Sequence, residues 1–180
     1  MDNPLPLLIR PGILHDLDFL VSSNAALAWE TEHRQLDLSI LRAGVLALLQ
    51  DPHKGWYVVA ETPPQTGPSL VVGQLLVTFE WSDWRNRTFW WLQSVYVCPD
   101  YRRKGVFKQL YGYVMKQARS RNEAVCGFRL YVEQDNTIAH QSYEHLGFHK
   151  APYDMYECEW TDSHAPSLRI GQSENPIPGD

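Results

Sequence analysis

The chain has 180 residues, 44% hydrophobic and 21% charged, which is the composition of one ordinary globular domain rather than of a disordered segment. A formal net charge of −5 argues against a broad nucleic-acid-binding face and leaves room only for a local anion site. Three cysteines, Cys98, Cys126 and Cys158, are odd in number and lack metal-type spacing; they read as free thiols in a reducing compartment, with no metal expected. From the N-terminus, "MDNPLPLLIR" begins acidic without a long apolar run, so the expectation is a cytoplasmic protein with no signal peptide or membrane span. "LPLLIRPG" is a short apolar run closed by Pro-Gly and predicts a first strand. Residues from His15 to about Glu30 suit a helix, and Leu38, Leu41, Val45 and Leu48 are spaced for one buried face of a second, from about Leu36 to Gln50.

"GWYVVAE" predicts a strand, "TPPQTGPS" a loop, "LVVGQLLVTFEW" a long strand, "SDWRNRT" a turn and "FWWLQSVYV" another strand. "KQLYGYVMKQARSR" alternates apolar and basic residues at helical spacing. A strand "GFRLYVE", a short helix "NTIAHQSYEHLG" ending on Gly147, and a final strand "HKAPYDMYECEW" follow. The order β-α-α-β-β-β-α-β-α-β implies an α/β (α+β) fold: a mixed, mostly antiparallel central sheet flanked by helices. One domain is expected over residues 1–160, with a flexible tail rich in Pro, Ser and Gly over residues 161–180.

The chemical centre is "SVYVCPDYRRKGVFKQLY". Arg102, Arg103 and Lys104 run into Gly105 in an otherwise acidic chain, and a helix pattern starts at once. A helix start has backbone N–H groups without intrahelical partners and partial positive charge, so it can cradle a phosphate. The bland alternative is a solvated basic turn. It is not a Walker loop, because Gly105 is followed by Val-Phe.

This stretch resembles the acyl-CoA-binding segment of the Gcn5-related N-acetyltransferase family, Gln/Arg-x-x-Gly-x-Gly/Ala, with Arg102, Gly105 and Phe107 on its three fixed positions. About forty residues on, "YVEQDNTIAHQSYEHLGF" resembles the family's second segment through Asn136, Ala139, Tyr143, Gly147 and Phe148. Phe107 departs from the usual small residue, so its ring must point away from the phosphates. The resemblance implies acetyl-CoA as cosubstrate and coenzyme A as product. Val95, Tyr96 and Val97 would pair with the pantetheine arm through their backbone, and amides of Arg103, Lys104, Gly105, Val106, Phe107 and Lys108 would hold the pyrophosphate beside Arg102. Asn136 would bond the pantetheine, Ala139 would leave room for it, and Tyr143 would be the general acid. Core or helix-face packing is the structural alternative for Val95, Val97 and Tyr143.

The implied activity is transfer of an acetyl group to a primary amine by direct attack on the thioester. A non-catalytic acyl-CoA sensor on the same fold is the alternative, and a nucleotide-phosphate-binding module a third reading. Many family members carry a glutamate near Gln93, which cannot take a proton. Glu80 and Asp83, at the end of the neighbouring strand, could reach the same cleft directly or through water; Glu80 is the expected base, with Glu30 and Glu32 as further candidates. Glu30, Trp81, Asp83, Trp84 and Gln93 are expected on the acceptor side, where acidic groups and indole faces would suit a cationic small-molecule or peptide amine. Dimers are common in the family, so a homodimer is allowed; nucleic acid and membrane partners are not expected.

Overall fold

A computed structural model, which describes residues 5–64, 68–120 and 125–158, has a five-stranded sheet at its centre. The strands are β1 (Leu8–Pro11), β2 (Trp56–Glu61), β3 (Val71–Ser82), β4 (Arg87–Val97) and β5 (Val125–Arg129), ordered β1-β2-β3-β4-β5. The first four are antiparallel and β5 is parallel to β4, so the sheet is mixed and mostly antiparallel, as the sequence implies. The helices are α1 (Leu17–Glu32), α2 (Leu38–Gln50), α3 (Val106–Ser120) and α4 (Thr137–His145). The chain forms two compact units, residues 1–135 with the sheet and α1 to α3, and residues 136–180 with α4. Among the described residues no helix is long and apolar enough to cross a membrane.

The sheet is covered on both faces, which is why "WYVVAE" and "VVGQLLV" read as near-continuous apolar runs rather than alternating ones. On one face Leu20 and Val21 of α1 and Val45 of α2 pack with Tyr57, Val59 and Leu76. On the other lie Val106, Leu110 and Val114 of α3, four residues apart and buried to 1% exposure or less. Gly73 permits that approach: a Cβ there would sit 3.0 Å from Val106 Cγ1 and 3.2 Å from the Tyr96 carbonyl.

A charged staple closes the β1 end. Arg10 holds the 2% exposed Asp16 through both terminal nitrogens, at 2.7 and 2.9 Å, and reaches Glu61 of β2 through Nε at 2.6 Å. Asp16 also accepts the Ile13 N–H at 2.8 Å, so β1, the turn before α1 and β2 share one polar cluster.

The structure departs from the sequence reading near the C-terminus. The strand expected over "GFRLYVE" stops at Arg129. The strand expected over residues 149–160 is absent from its described part, 149–158, where Tyr153, Met155 and Tyr156 are 75%, 60% and 92% exposed. Apolar alternation can mark a strand, but a strand exists only through ladder hydrogen bonds. The expected tail over residues 161–180 lies outside the described residues.

Candidate functional site

The site begins where two strands part. Parallel pairing of β4 with β5 runs from Thr88 opposite Val125 to Trp91 opposite Arg129 and ends there. β4 continues alone on that edge to Val97 while still pairing with β3 on the other, Val97 lying opposite Gly73. Among the described residues the outer edge of Leu92–Val97 therefore has no strand partner, although the Val97 carbonyl already accepts from Arg102 Nε at 2.9 Å.

A bulge shapes this stretch. Leu76 lies opposite Gln93 and Gln74 opposite Tyr96, so β4 advances one residue more than β3. The extra residue brings Ser94 to φ 47°, a left-handed conformation that costs a non-glycine residue on the order of 1–3 kcal/mol. Gln74, fully buried, donates from Nε2 to the Ser94 carbonyl at 3.2 Å, and its Oε1 has no hydrogen-bond partner. That amide pins the bulge from inside the sheet.

After Val97 the chain turns into α3. Cys98 N–H bonds the Val72 carbonyl at 2.9 Å, Pro99–Tyr101 make a 3-10 turn, and Arg103 and Gly105 take left-handed φ values of 60° and 77°. The Gly105 carbonyl accepts the first helical bond, from Gln109 N–H at 3.2 Å, so the amides of Val106, Phe107 and Lys108 have no intrahelical acceptor. A Cβ on Gly105 would meet nothing within 4 Å, so the space above the turn is open and glycine is favoured there by its φ alone. The Phe107 ring packs against Tyr111 at 6.3 Å, one turn along the helix. An unpaired strand edge leading to an open helix start fits the extended amide chain and pyrophosphate of an acyl-CoA.

The three cations of the turn are not equivalent. Arg102 bonds the Val97 carbonyl at 2.9 Å, ion-pairs with Glu30 at 2.6 Å and lies 5.6 Å over the Tyr96 ring. Glu30 also accepts from the Tyr96 hydroxyl at 3.4 Å. Burial first, and then the Glu30 charge, push the Tyr96 phenol above its ordinary pKa. Arg102 thus ties the end of α1 to the end of β4, leaving exposed Arg103 and Lys104 to supply the positive charge at the helix start.

The carboxylates and indoles of "FEWSDWRN" do not converge as the string suggests. Glu80 and Trp81 are neighbours in a strand and leave opposite faces of the sheet. Trp81 is 60% exposed, Trp84 is 89% exposed in the hairpin turn, and Asp83 caps that turn by accepting the Trp84 N–H at 2.8 Å. The indole that meets Glu80 is Trp91, whose Nε1 donates to Oε2 at 2.5 Å, while Arg129 ion-pairs with Oε1. Gln93 lies on this same face, its Nε2 donating to Thr78 Oγ1 at 3.0 Å. Trp90 is core: 3% exposed, edge-on to Trp56, Phe79 and Phe128.

In the second unit, Asn136 caps α4, its Oδ1 accepting the Ala139 N–H at 3.1 Å, which leaves Nδ2 to donate. The helix ends in a Schellman turn. Gly147, at φ 88°, donates to the Glu144 carbonyl at 2.9 Å, and Phe148 donates to the Tyr143 carbonyl at 3.1 Å. Phe148 then packs on the Tyr143 ring at 5.8 Å, so the Gly-Phe pair fixes the tyrosine. Desolvation raises the Tyr143 phenol above its ordinary pKa.

Gln74, Ser94 and Arg129 escaped the sequence reading. The signal for Gln74 was present, as the lone polar side chain in "LVVGQLLV". A lone arginine in "GFRLYV" was the equivalent hint for Arg129. Nothing local marks Ser94, because a bulge depends on the pairing of two strands.

Comparison with known proteins agrees with this geometry. The model of the acetyltransferase (GNAT) family matches residues 17–148. A structure described as a possible acetyltransferase from Clostridium difficile 630 is 44% identical, covers 86% of this chain and 98% of that one, and superposes with a TM-score of 0.76. The aminoglycoside N-acetyltransferase AAC(6')-Iy in complex with CoA is 17% identical over 88% and 98% of the two chains, with a TM-score of 0.68. A ribosomal-protein-alanine N-acetyltransferase from Brucella melitensis biovar Abortus 2308 is 18% identical over 87% and 100%, with a TM-score of 0.66. These two show likeness of fold. No match was found among curated proteins. This chain belongs to the GNAT acetyltransferase family.

Proposed function

We propose that this protein moves an acetyl group from acetyl-CoA to a primary amine by direct attack on the thioester. The observation that carries the reading is the unpaired β4 edge leading into the α3 turn at Gly105. Val95, Tyr96 and Val97 offer backbone groups to the pantetheine, amides from Arg103 to Lys108 hold the pyrophosphate, and Asn136 donates its free amide hydrogens. When bound, acetyl-CoA supplies an activated acyl group and a thiol leaving group. The family match spans both compact units, which supports residues 1–160 as one acetyltransferase domain.

This chain's residues must solve two proton problems. An amine of pKa about 10.4 is neutral in roughly one molecule in 10³ near pH 7, a handicap of about 4–5 kcal/mol. Glu80, oriented by Trp91 and Arg129, takes the amine proton through water on its unused lone pairs. Gln93 cannot act as base, but with Nε2 committed to Thr78 its amide oxygen faces the task of positioning the amine or that water. Tyr143 donates a proton to the leaving thiolate. AAC(6')-Iy and the Brucella protein are named for two different amine acceptors, an aminoglycoside and a protein alanine, so the fold leaves the acceptor open.

Thiol release from acetyl-CoA with a panel of amines tests the reading. Tight binding of coenzyme A with no release for any amine would favour the idle sensor, and tighter binding of ATP than of coenzyme A in calorimetry would favour a nucleotide module. Gly105→Glu should weaken coenzyme A binding about 10-fold or more, because a side chain at φ 77° is strained and the added carboxylate repels phosphate. Pantetheine, lacking the pyrophosphate, should bind wild type much more weakly than coenzyme A; equal affinities would remove the turn from the site. Glu80→Gln should depress turnover at neutral pH and recover partly as pH rises and free amine accumulates. A variant with the wild-type rate across pH 6–9 would move the base role to Glu30, Glu32 or solvent.

A further inference from the structure

Resting on the acetyltransferase reading, we propose that the amine acceptor also carries a carboxylate, and that Arg129 is the residue that selects it. Arg129 ends β5 opposite Trp91, at the point where β4 and β5 separate and where the acyl end of a bound acyl-CoA must lie if its arm follows Val95–Val97. Its guanidinium is held from two sides: Cζ lies 3.9 Å over the Phe89 ring, and NH1 pairs with Glu80. Glu80 is fixed in turn by the Trp91 indole. Phe89 can lie this close because its neighbour in β5 is Gly127, where a Cβ would come within 3.0 Å of the ring.

A guanidinium has five N–H donors in a planar fork. Among the described residues only one nitrogen of Arg129 has a hydrogen-bond partner, and the side chain is 36% exposed. The remaining donors form an oriented anion-binding edge, suited to a carboxylate. Local charge agrees. Glu80 is matched by Arg129, a second guanidinium, Arg85, stands 5.1 Å from the same Phe89 ring, and Glu30 is already paired with Arg102. Neither carboxylate is bare, so a polycation would have to displace arginine from one of them. A molecule with amine and carboxylate together complements the pair as it stands: its carboxylate on Arg129, its amine toward Glu80. Trp91 and Tyr131, with ring centres 5.9 Å apart, give the acceptor an aromatic wall.

The test uses the full chain with acetyl-CoA and pairs of amines that differ only as carboxylate or carboxamide, amino acids against their amides, with spermidine as a polycation. The carboxylate partner should show kcat/KM about 10- to 100-fold higher, the range of a charge-assisted hydrogen bond. Arg129→Gln should bring that ratio toward one, chiefly through KM for the amine, and Arg129→Lys should restore part of it. Amides or spermidine used as well as the carboxylates would overturn the inference, and so would an unchanged ratio in Arg129→Gln. The wild-type ratio alone decides if Arg129→Gln does not fold. No thiol release with any amine, while coenzyme A still binds in calorimetry, overturns the acetyltransferase reading and this inference with it.

Discussion

Tyr143→Phe should lower turnover roughly 10²-fold, the usual scale of one general-acid contribution, while leaving folding and coenzyme A affinity nearly unchanged. The substitution removes one hydroxyl and keeps the ring that Phe148 packs against, and the Schellman turn that fixes the ring is made by backbone groups. Desolvation holds the phenol above its ordinary pKa of about 10, so Tyr143 remains protonated throughout the neutral and mildly alkaline range. Proton transfer to a thiolate of pKa about 8.5 is then uphill by at least about 2 kcal/mol, and positioning must make up the difference. The sign is testable. Wild-type turnover should rise with pH as the amine loses its proton, with no falling limb below about pH 10. A fall near pH 8 would mean an acid with a lowered pKa, which Tyr143 is not. Stopped-flow thiol release should show the loss in the chemical step; an unchanged chemical rate would make Tyr143 a packing residue.

The sequence was informative where one side chain or one local turn decides the structure. Gly105 and Gly147 both occupy left-handed positions, and Asn136 caps the helix it precedes, so the two segments that carry the family resemblance are legible because they are helix termini. The four antiparallel strands follow from their apolar runs. What remained hidden depends on pairing between distant segments. Glu30 looks like a solvated carboxylate in "WETEH", yet it reaches Arg102, seventy-two positions away. In the string Glu80 stands with Trp81 and Trp84, but strand alternation sends Trp81 to the other face and cross-strand register delivers Trp91 and Arg129 instead. The expectation of a cationic acceptor rests on carboxylates and indole faces, and two of those carboxylates, Glu30 and Glu80, pair with Arg102 and Arg129. Their partners change the charge that an incoming amine would meet.

Arg10→Met should cost about 3–5 kcal/mol of stability, because it strands the 2% exposed carboxylate of Asp16 without its main partner. For a chain of this size that is a fall in Tm of about 6–20 °C. The pH dependence should change sign as well. Burial pushes Asp16 up, but hydrogen bonds from Arg10 and the Ile13 amide, with the Arg10 charge, outweigh it and hold the carboxyl below its ordinary pKa. A lowered folded pKa means the unfolded chain binds the proton first on acidification. The pair's contribution is therefore complete above about pH 5, begins to fall near the unfolded value of about 3.9, and is lost as pH falls through the folded pKa. In Arg10→Met burial, the Ile13 amide and the smaller effect of the His15 charge remain, so with burial the largest of them the Asp16 carboxyl should rise above its ordinary value, and mild acid should cost this variant less stability than wild type. Urea titrations from pH 7 to pH 4 should show the gap between the two proteins narrowing. Arg10→Met with Asp16→Leu replaces the pair by apolar groups, and most of the lost stability should return, since the cost lies in the orphaned charge rather than in the missing attraction. A double variant as unstable as Arg10→Met alone, with the gap constant across pH, would place the loss in the contact of Arg10 with Glu61 and the β1 backbone instead.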